Sequence, residues 1–541
     1  MKRTCLGTII GGSLTDGLMM HITDPSVMAE IKTGKFVSIV NNNHIFFALV
    51  TNLKLEVTNP EILQFPPQED EFLLRSFVTA HGLRITALLR PLLMLNQDKK
   101  PIPVTTIPSH FCPVYTAQDD EVSAIFHAPD QQHSFIIGYP LDMETPVCIN
   151  LHTFAQRNSG IFGKTGTGKT FLTRLVLAGM LDTTDIVHLI FDMHSEYGLQ
   201  ARSENKGLVK GLKTLFGNRI ALFSLDPAST RRRGGNPDAI LKISYNEINV
   251  EDIISLQDEL HLHPTACEAA YLLAAKYHKQ WLATLLDSNT QLKTLAQEIG
   301  AHPESLAALY RKLKVIEHYS CFTPDQENGS INDLIETIDH GTSIIIEFGM
   351  HNATFCYLLV ANSITRRLHR VYIKKTEQFL GDPTHVPEPR KLMITIEEAH
   401  KFLNPATARQ TIFGTIAREM RKYYVTLLIV DQRPSQIESE ILSQIGTKLI
   451  AQLSDERDIA SVITGTANAH ELKIILASLS SNKQVLALGH AFAMPIMLQV
   501  RAYDETFYQT LTSHHQQIGL SETTKTNNRP ITSVIDQLFP D

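Results

Sequence analysis

The octapeptide Gly163-Lys164-Thr165-Gly166-Thr167-Gly168-Lys169-Thr170 has the spacing G-x-x-x-x-G-K-[ST], and the chemistry of that spacing is phosphate binding. Its glycines let backbone N–H groups curl around phosphate oxygens in conformations that residues with a Cβ resist. Lys169 would carry a mobile positive charge to the β- and γ-phosphates, and the Thr170 hydroxyl would ligate Mg²⁺. Two carboxylates suit the same reaction. The run KLMITIEEAHKFL goes from an apolar stretch into Glu397-Glu398. There Glu397 would hold Mg²⁺ through water, while Glu398 would orient and polarise an attacking water. A further apolar run, VTLLIV, ends in Asp431-Gln432-Arg433-Pro434, where a glutamine can sense a γ-phosphate by hydrogen bonding.

Such groups need a sheet and helices to place them. Phe171 to Met180 reads as a helix whose N-terminus turns its partial positive charge toward the loop. In an open parallel sheet the residues just past the strand ends face the ligand crevice. This makes Asp192, His194 and Glu196, after the strand IVHLIFD, candidates for the rim, with turn formation as their ordinary alternative. RIALFSL, TSIIIEFG, TKLIAQL and QVLALG read as further strands, and MPIMLQVRAY closes the sheet. Arg231-Arg232-Arg233-Gly234-Gly235 suits a mobile loop touching phosphates as well as it suits a solvated charge run. The segment TARQTIFGTIAREMRKYY reads as one helix with Arg418 and Arg421 on one face.

Residues 1–150 carry short β-rich runs broken by Gly, Asn and Pro, among them PVTTI, which predicts a small β-barrel. A helical piece, Glu69 to Ala80, interrupts it. Residues 151–249 and 331–510 read as two parts of one α/β core, and 250–330 as an inserted helical subdomain. Within the insertion, LKTLAQEIGAHPESLAALYRKL has the cadence of a helix-turn-helix, with Ala296 and Gly300 at turn-compatible places. His261, His263 and Cys267 lack a fourth metal ligand nearby and read as helix-start residues. Residues 511–541 form a polar tail whose small apolar end docks on a neighbour or stays disordered.

A chain of 541 residues suggests roughly three domains. The net charge of −7 weighs against a surface coated in nucleic acid, but leaves room for a basic ring interior. Six scattered cysteines without a C-x-x-C pair read as reduced thiols of a cytoplasmic protein. Met1-Lys2-Arg3 is followed by an apolar run broken at Gly11, Gly12, Ser13 and Asp16, so no secretion signal is expected. No apolar run approaches the ~20 residues of a membrane span.

Taken together, GKTGTGKT, FDMHSEYG, ITIEEAHKFL, REMRKYYVTLLIVDQRPSQI and the N-terminal GTIIGGSLTDG resemble the HerA family of DNA-translocating ATPases in the HerA/FtsK superfamily. The resemblance extends from the barrel to about Tyr503, and a glutamate in the first place of the acidic pair favours this family. It implies an α/β, RecA-like P-loop ATPase core behind an N-terminal HAS-type barrel. It further implies a homo-hexameric ring that hydrolyses ATP with Mg²⁺ at subunit interfaces and threads duplex DNA through its channel. Residues 163 to 171, ending in Phe171, would bind the nucleotide, and Arg418 or Arg421 would be an arginine finger. The partner would be a NurA-like nuclease in DNA-end processing, or a nuclease or sirtuin-like effector in anti-phage defence. An ATPase scaffold that gates such an effector with little translocation is the alternative; nothing resembles the lid or acceptor site of a small-molecule kinase. The chain departs from the family pattern at Met420, where glycine is expected, at Val430-Asp431, where small residues are usual, and in its helical insertion.

Overall fold

Strand Cys5–Ser13 turns back on Gly17–His21, and Gly12, at φ +124°, makes the close approach possible, since a Cβ there would lie 2.3 Å from the Gly17 carbonyl oxygen. In the computed structural model these strands open an antiparallel sheet in the order Gly17–His21, Cys5–Ser13, Pro113–Thr116, Phe36–Asn41, His44–Val57, Leu83–Leu95. Leu83–Leu95 also pairs with Gly17–His21, closing the expected barrel. Its interior is apolar, with Leu6, Leu18, Val37, Ile39, Phe46 and Leu89 all buried. The structure describes residues 3–511 except 25–26, 29–30, 42–43, 58–60, 65–67, 69–70, 72–77, 79–82, 127–133, 203–207, 288, 325–329, 352, 409–410, 467–468 and 481–482. Most of the helical piece expected over Glu69 to Ala80, and the tail beyond Leu511, lie outside the described residues.

The chain forms two compact units. The first comprises Met1–Lys169, Glu398–Ala408 and Leu427–Arg501, and the second Thr170–Glu397, Arg409–Thr426 and Ala502–Asp541. Besides the barrel, the first unit holds Ser159–Phe162, which runs parallel to Leu428–Asp431 of the strand Val425–Asp431 on one side and to Thr447–Ala451 on the other. Four antiparallel strands extend this sheet in the order Gln484–Gly489, Ile496–Val500, Ser134–Pro140, Val147–Asn150. The barrel therefore ends at Thr116 rather than near residue 150, and Ile496–Val500 does not close the sheet. PVTTI forms no strand; the two residues before it, Pro101–Ile102, add a short seventh strand that pairs with Leu83–Leu95.

In the second unit Val187–Asp192 lies between Ser343–Glu347 and Leu392–Glu397, with Ile220–Ser224 beyond Ser343–Glu347, all parallel. The first three strands are buried along their whole length, which is why they read as unbroken apolar runs rather than alternations. The insertion is helical as expected, with Pro264–Tyr277, Trp281–Leu286, Leu292–Ile299 and Pro303–Leu313 as its main pieces. Trp281, fully buried, donates from Nε1 to the Ile248 carbonyl at 3.0 Å. Gly300, left-handed at φ 72°, ends Leu292–Ile299, whereas Ala296 is a buried helical residue and not part of the turn. His263 caps its helix by accepting from the Thr265 N–H, as a helix-start residue should.

Two expectations change. Arg231 and Arg232 form the last turn of the helix Pro227–Arg232, which Asp226 caps, so the basic run begins on a helix and not in a loop. The REMRK helix is α-helical only over Ile412–Glu419 and tightens to a 3₁₀ turn over Met420–Tyr423. Met420, fully buried at that transition, fills core space that glycine would leave empty. Among the described residues no helix is long and apolar enough to cross a membrane.

Candidate active site

The phosphate loop hangs from its neighbouring strands. Gly163 N–H donates to the Asp431 carbonyl at 3.2 Å and Lys164 N–H to the Gln452 carbonyl at 3.0 Å. The Thr167 hydroxyl ties the loop to itself by donating to the Lys164 carbonyl at 2.7 Å. Its glycines serve two purposes. Gly166 and Gly168 sit at φ +82° and +85°, where a side chain is strained. Gly163 leaves room, since a Cβ there would come within 2.8 Å of the Ala451 Cβ. The helix Lys169–Thr183 follows from the loop and carries no acidic residue in its first turn, so its own side chains do not offset the partial positive charge of its N-terminus.

Still in the first unit, Gln432 joins this loop to Glu398. Its Nε2 donates to both Glu398 carboxylate oxygens at 3.1 and 3.0 Å, and its Oε1 accepts from the Thr165 hydroxyl at 2.7 Å. Glu398 has φ 49°, a left-handed conformation that costs a non-glycine residue about 1–3 kcal/mol and persists only where its surroundings over-determine it. Those surroundings are present. Asp431, fully buried, accepts from the His400 N–H at 2.7 Å, from His400 Nδ1 at 3.0 Å and from the Arg433 N–H at 2.6 Å. The carboxylate so placed sets the His400 proton on Nδ1. It thereby fixes the turn that follows Glu398. A cavity of about 550 Å³ opens beside Gln432, lined by Lys164, Thr165, Arg433 and Asp455 among others.

The remaining candidates belong to the second unit. Glu397, 6% exposed, receives the Tyr197 hydroxyl on Oε1 at 2.7 Å and the Tyr357 hydroxyl on its carbonyl at 3.1 Å. Thr170 and Phe171 lie on the first turn of their helix, half-buried, with the Arg174 guanidinium 5.3 Å from the Phe171 ring centre. Asp192 is not at a rim. It is fully buried and accepts the Glu196 and Tyr197 N–H groups at 2.8 Å each, so it builds the turn that presents Tyr197 to Glu397. Burial pushes its carboxyl up to about 7, against the lowering effect of those two N–H groups. His194 is exposed. Arg418 is half-buried, and Arg421 lies exposed on the 3₁₀ turn.

Arg233, itself exposed, is paired with the buried Glu347, which accepts from its Nη2 at 2.7 Å and from the Thr230 hydroxyl at 2.9 Å. Glu347, His400, Asp431, Tyr197 and Tyr357 were not singled out as site residues from the sequence. The available signal was a lone acid ending an apolar strand, as in TSIIIE and VTLLIVD, since burial at a strand end demands a partner.

Residues 135–368 match the family DUF87, described as Helicase HerA, central domain. The chain is 23% identical over 482 residues to the DNA double-strand break repair helicase HerA of Sulfolobus acidocaldarius, which covers 88% of this chain and 90% of that protein. It is 22% identical over 519 residues to the helicase of the same description from Sulfurisphaera tokodaii, covering 92% and 93%. Among solved structures, VirB4 of Thermoanaerobacter pseudethanolicus is similar over 69% of this chain and 98% of its own, at 13% identity and a TM-score of 0.44.

Proposed function

Because residues 135–368 carry a HerA-type central domain and HerA helicases resemble 88–92% of the chain, we propose that this protein is an ATP-hydrolysing, ring-forming DNA translocase or helicase. One observation supports the reading most: Gln432 clasps both oxygens of Glu398 while receiving a hydroxyl of the phosphate loop. Lys169 and the loop N–H groups hold the phosphates of ATP, and Glu398 accepts the proton of the attacking water. Mg²⁺ fits a donor set of the Thr170 hydroxyl and the Glu397 carboxylate, hard oxygens that leave room for waters and phosphate oxygens. When bound, it neutralises charge on the transferring phosphoryl group. Tyr197 positions Glu397 for that role. Arg418 or Arg421 acts in trans, from the neighbouring subunit of a hexamer whose channel takes duplex DNA.

The partner, a NurA-like nuclease or a sirtuin-like effector, docks on the N-terminal barrel, where Leu55 and Phe111 are each 74% exposed. All six cysteines are free, in keeping with a cytoplasmic setting. The deciding experiment measures ATP hydrolysis by the full chain with and without linear duplex DNA. Stimulation by DNA is expected. An unchanged rate, with a partner activated by ring assembly alone, would replace the translocase with an ATPase scaffold.

A further inference from the structure

A second cavity, of about 360 Å³, lies in the second unit and is used by none of the chemistry above. Three cations line it: Lys279 from the insertion, and Arg367 and Arg370 from the long helix Thr354–Gly381. Ser363, Arg367 and Arg370 recur at i, i+4 and i+7, which places them on one helix face. Arg366, one residue away, is committed elsewhere, its Nε on the buried Asp252 at 2.7 Å. Among the described residues Lys279, Arg367 and Arg370 make no ion pair, and Arg367 reaches only the Asn332 amide oxygen, at 3.5 Å.

Two buried polar atoms line the same cavity. Among the described residues the Ser363 hydroxyl, on a residue 2% exposed, has no hydrogen-bond partner, and neither has the buried Oδ1 of Asn246. Buried polar atoms are ordinarily paired, so an orphaned hydroxyl below a cationic mouth calls for a ligand oxygen. The single lining carboxylate does not cancel the charge. Glu247 is engaged in a capping box, accepting from the Ser244 N–H at 3.0 Å, and faces three cations.

We propose that this cleft binds a small phosphate-rich anion, with a diphosphate group as the recognised unit. A carboxylate would answer one positive charge, whereas a diphosphate offers several charges and many acceptor oxygens. Arginine forks match phosphate geometry with two parallel hydrogen bonds. The volume falls in the range of small-ligand pockets, and a hydroxyl buried in the lining favours a ligand that enters over a strand that passes across the mouth. The proposal does not depend on the ATPase reading, because it concerns a separate cleft.

The test is calorimetric titration of inorganic pyrophosphate into the full chain carrying Lys169→Ala, which disables the phosphate loop. One site per chain is expected to remain. Adding Arg367→Ala and Arg370→Ala together should weaken it at least tenfold, and adding Ser363→Ala should weaken it to a smaller extent. Circular dichroism and an unchanged thermal unfolding midpoint show that the arginine variant is folded. A parallel titration with ADP separates the sources: equal loss in both arms identifies a nucleotide diphosphate, and loss for pyrophosphate alone identifies the free anion. The proposal is overturned if Lys169→Ala abolishes all pyrophosphate binding, or if the arginine substitutions leave that binding unchanged. It is also overturned if they weaken only duplex DNA, which would make the cleft a backbone contact.

Discussion

Gln432 donates to both carboxylate oxygens of Glu398 at 3.1 and 3.0 Å and so fixes the carboxylate as a plane rather than as a point. The same amide accepts from Thr165 at 2.7 Å, so a displacement of the phosphate loop is felt at the glutamate. Gln432→Ala is expected to lower kcat for ATP hydrolysis by about 10- to 100-fold, with KM little changed, as for a group that orients a general base. Steady-state kinetics check this. An unaltered kcat would show that Glu398 needs no such clasp.

Lys169→Ala and Glu398→Gln should both abolish hydrolysis and differ in binding. In the proposed mechanism Lys169 acts on the phosphates already in the ground state, whereas Glu398 acts on the attacking water. Nucleotide affinity measured by calorimetry should fall by about tenfold or more for the first, on the scale of a charge-assisted hydrogen bond, and be largely kept by the second. Hydrolysis that survives Glu398→Gln removes its assignment as the base.

If Arg418 or Arg421 reaches a neighbouring subunit's phosphate, complementation follows. A Glu398→Gln chain has a dead site and an intact finger; an Arg421→Ala chain has the reverse. Mixed rings should regain part of the hydrolysis that each variant lacks alone, since an arginine finger is worth about 10³ or more in rate. Arg421, exposed on its 3₁₀ turn, is the better placed of the two. The same mixture with Arg418→Ala ranks them, and no recovery in either, with mixed rings verified, rejects the trans arrangement.

The basic run separates into two behaviours. Arg231→Ala with Arg232→Ala should flatten the dependence of log K for duplex DNA on log salt by about 0.9 per lost phosphate contact, leaving stability unchanged. Arg233→Ala instead strands the buried Glu347 without its 2.7 Å partner, and is expected to cost about 3 kcal/mol of stability. Salt-titrated binding and chemical denaturation read the two effects apart. An unchanged salt slope for the first pair takes those arginines away from DNA.

His188 supplies a pH-dependent loss of stability. It is fully buried, neither ring nitrogen has a partner among the described residues, and burial, with a smaller effect from Arg219, pushes its pKa down to about 3. The unfolded chain takes up this proton near the ordinary histidine value of about 6.5, so it binds more protons than the fold between the two, and stability falls as pH drops. Going from about pH 7.5 to pH 5 should cost about 2 kcal/mol through this residue. In His188→Leu the fall over that interval should be smaller by the same amount. An identical pH profile in the two chains would mean that His188 takes up its proton at the same pH in the fold as in the unfolded chain.

What the sequence alone determined is local. The phosphate loop is legible because Gly163, Gly166 and Gly168 answer steric demands set within a few residues, and Glu397-Glu398 because an apolar run delivers them to a strand end. The buried parallel strands and the helical insertion follow from composition and period in the same way. Tertiary structure decided the pairings. Tyr197 meets Glu397 across 200 residues of sequence, Arg233 meets Glu347 across 114, and His400 meets Asp431 across 31. Each polar group had to find a partner once burial removed water from it, and which partner depends on strand order, a property no single segment carries. The edge of the barrel was settled likewise. Ser134–Pro140 reads as well for a barrel as for an open sheet, and its pairing with Ile496–Val500 assigned it to the sheet, because a strand belongs to whichever neighbour satisfies its backbone.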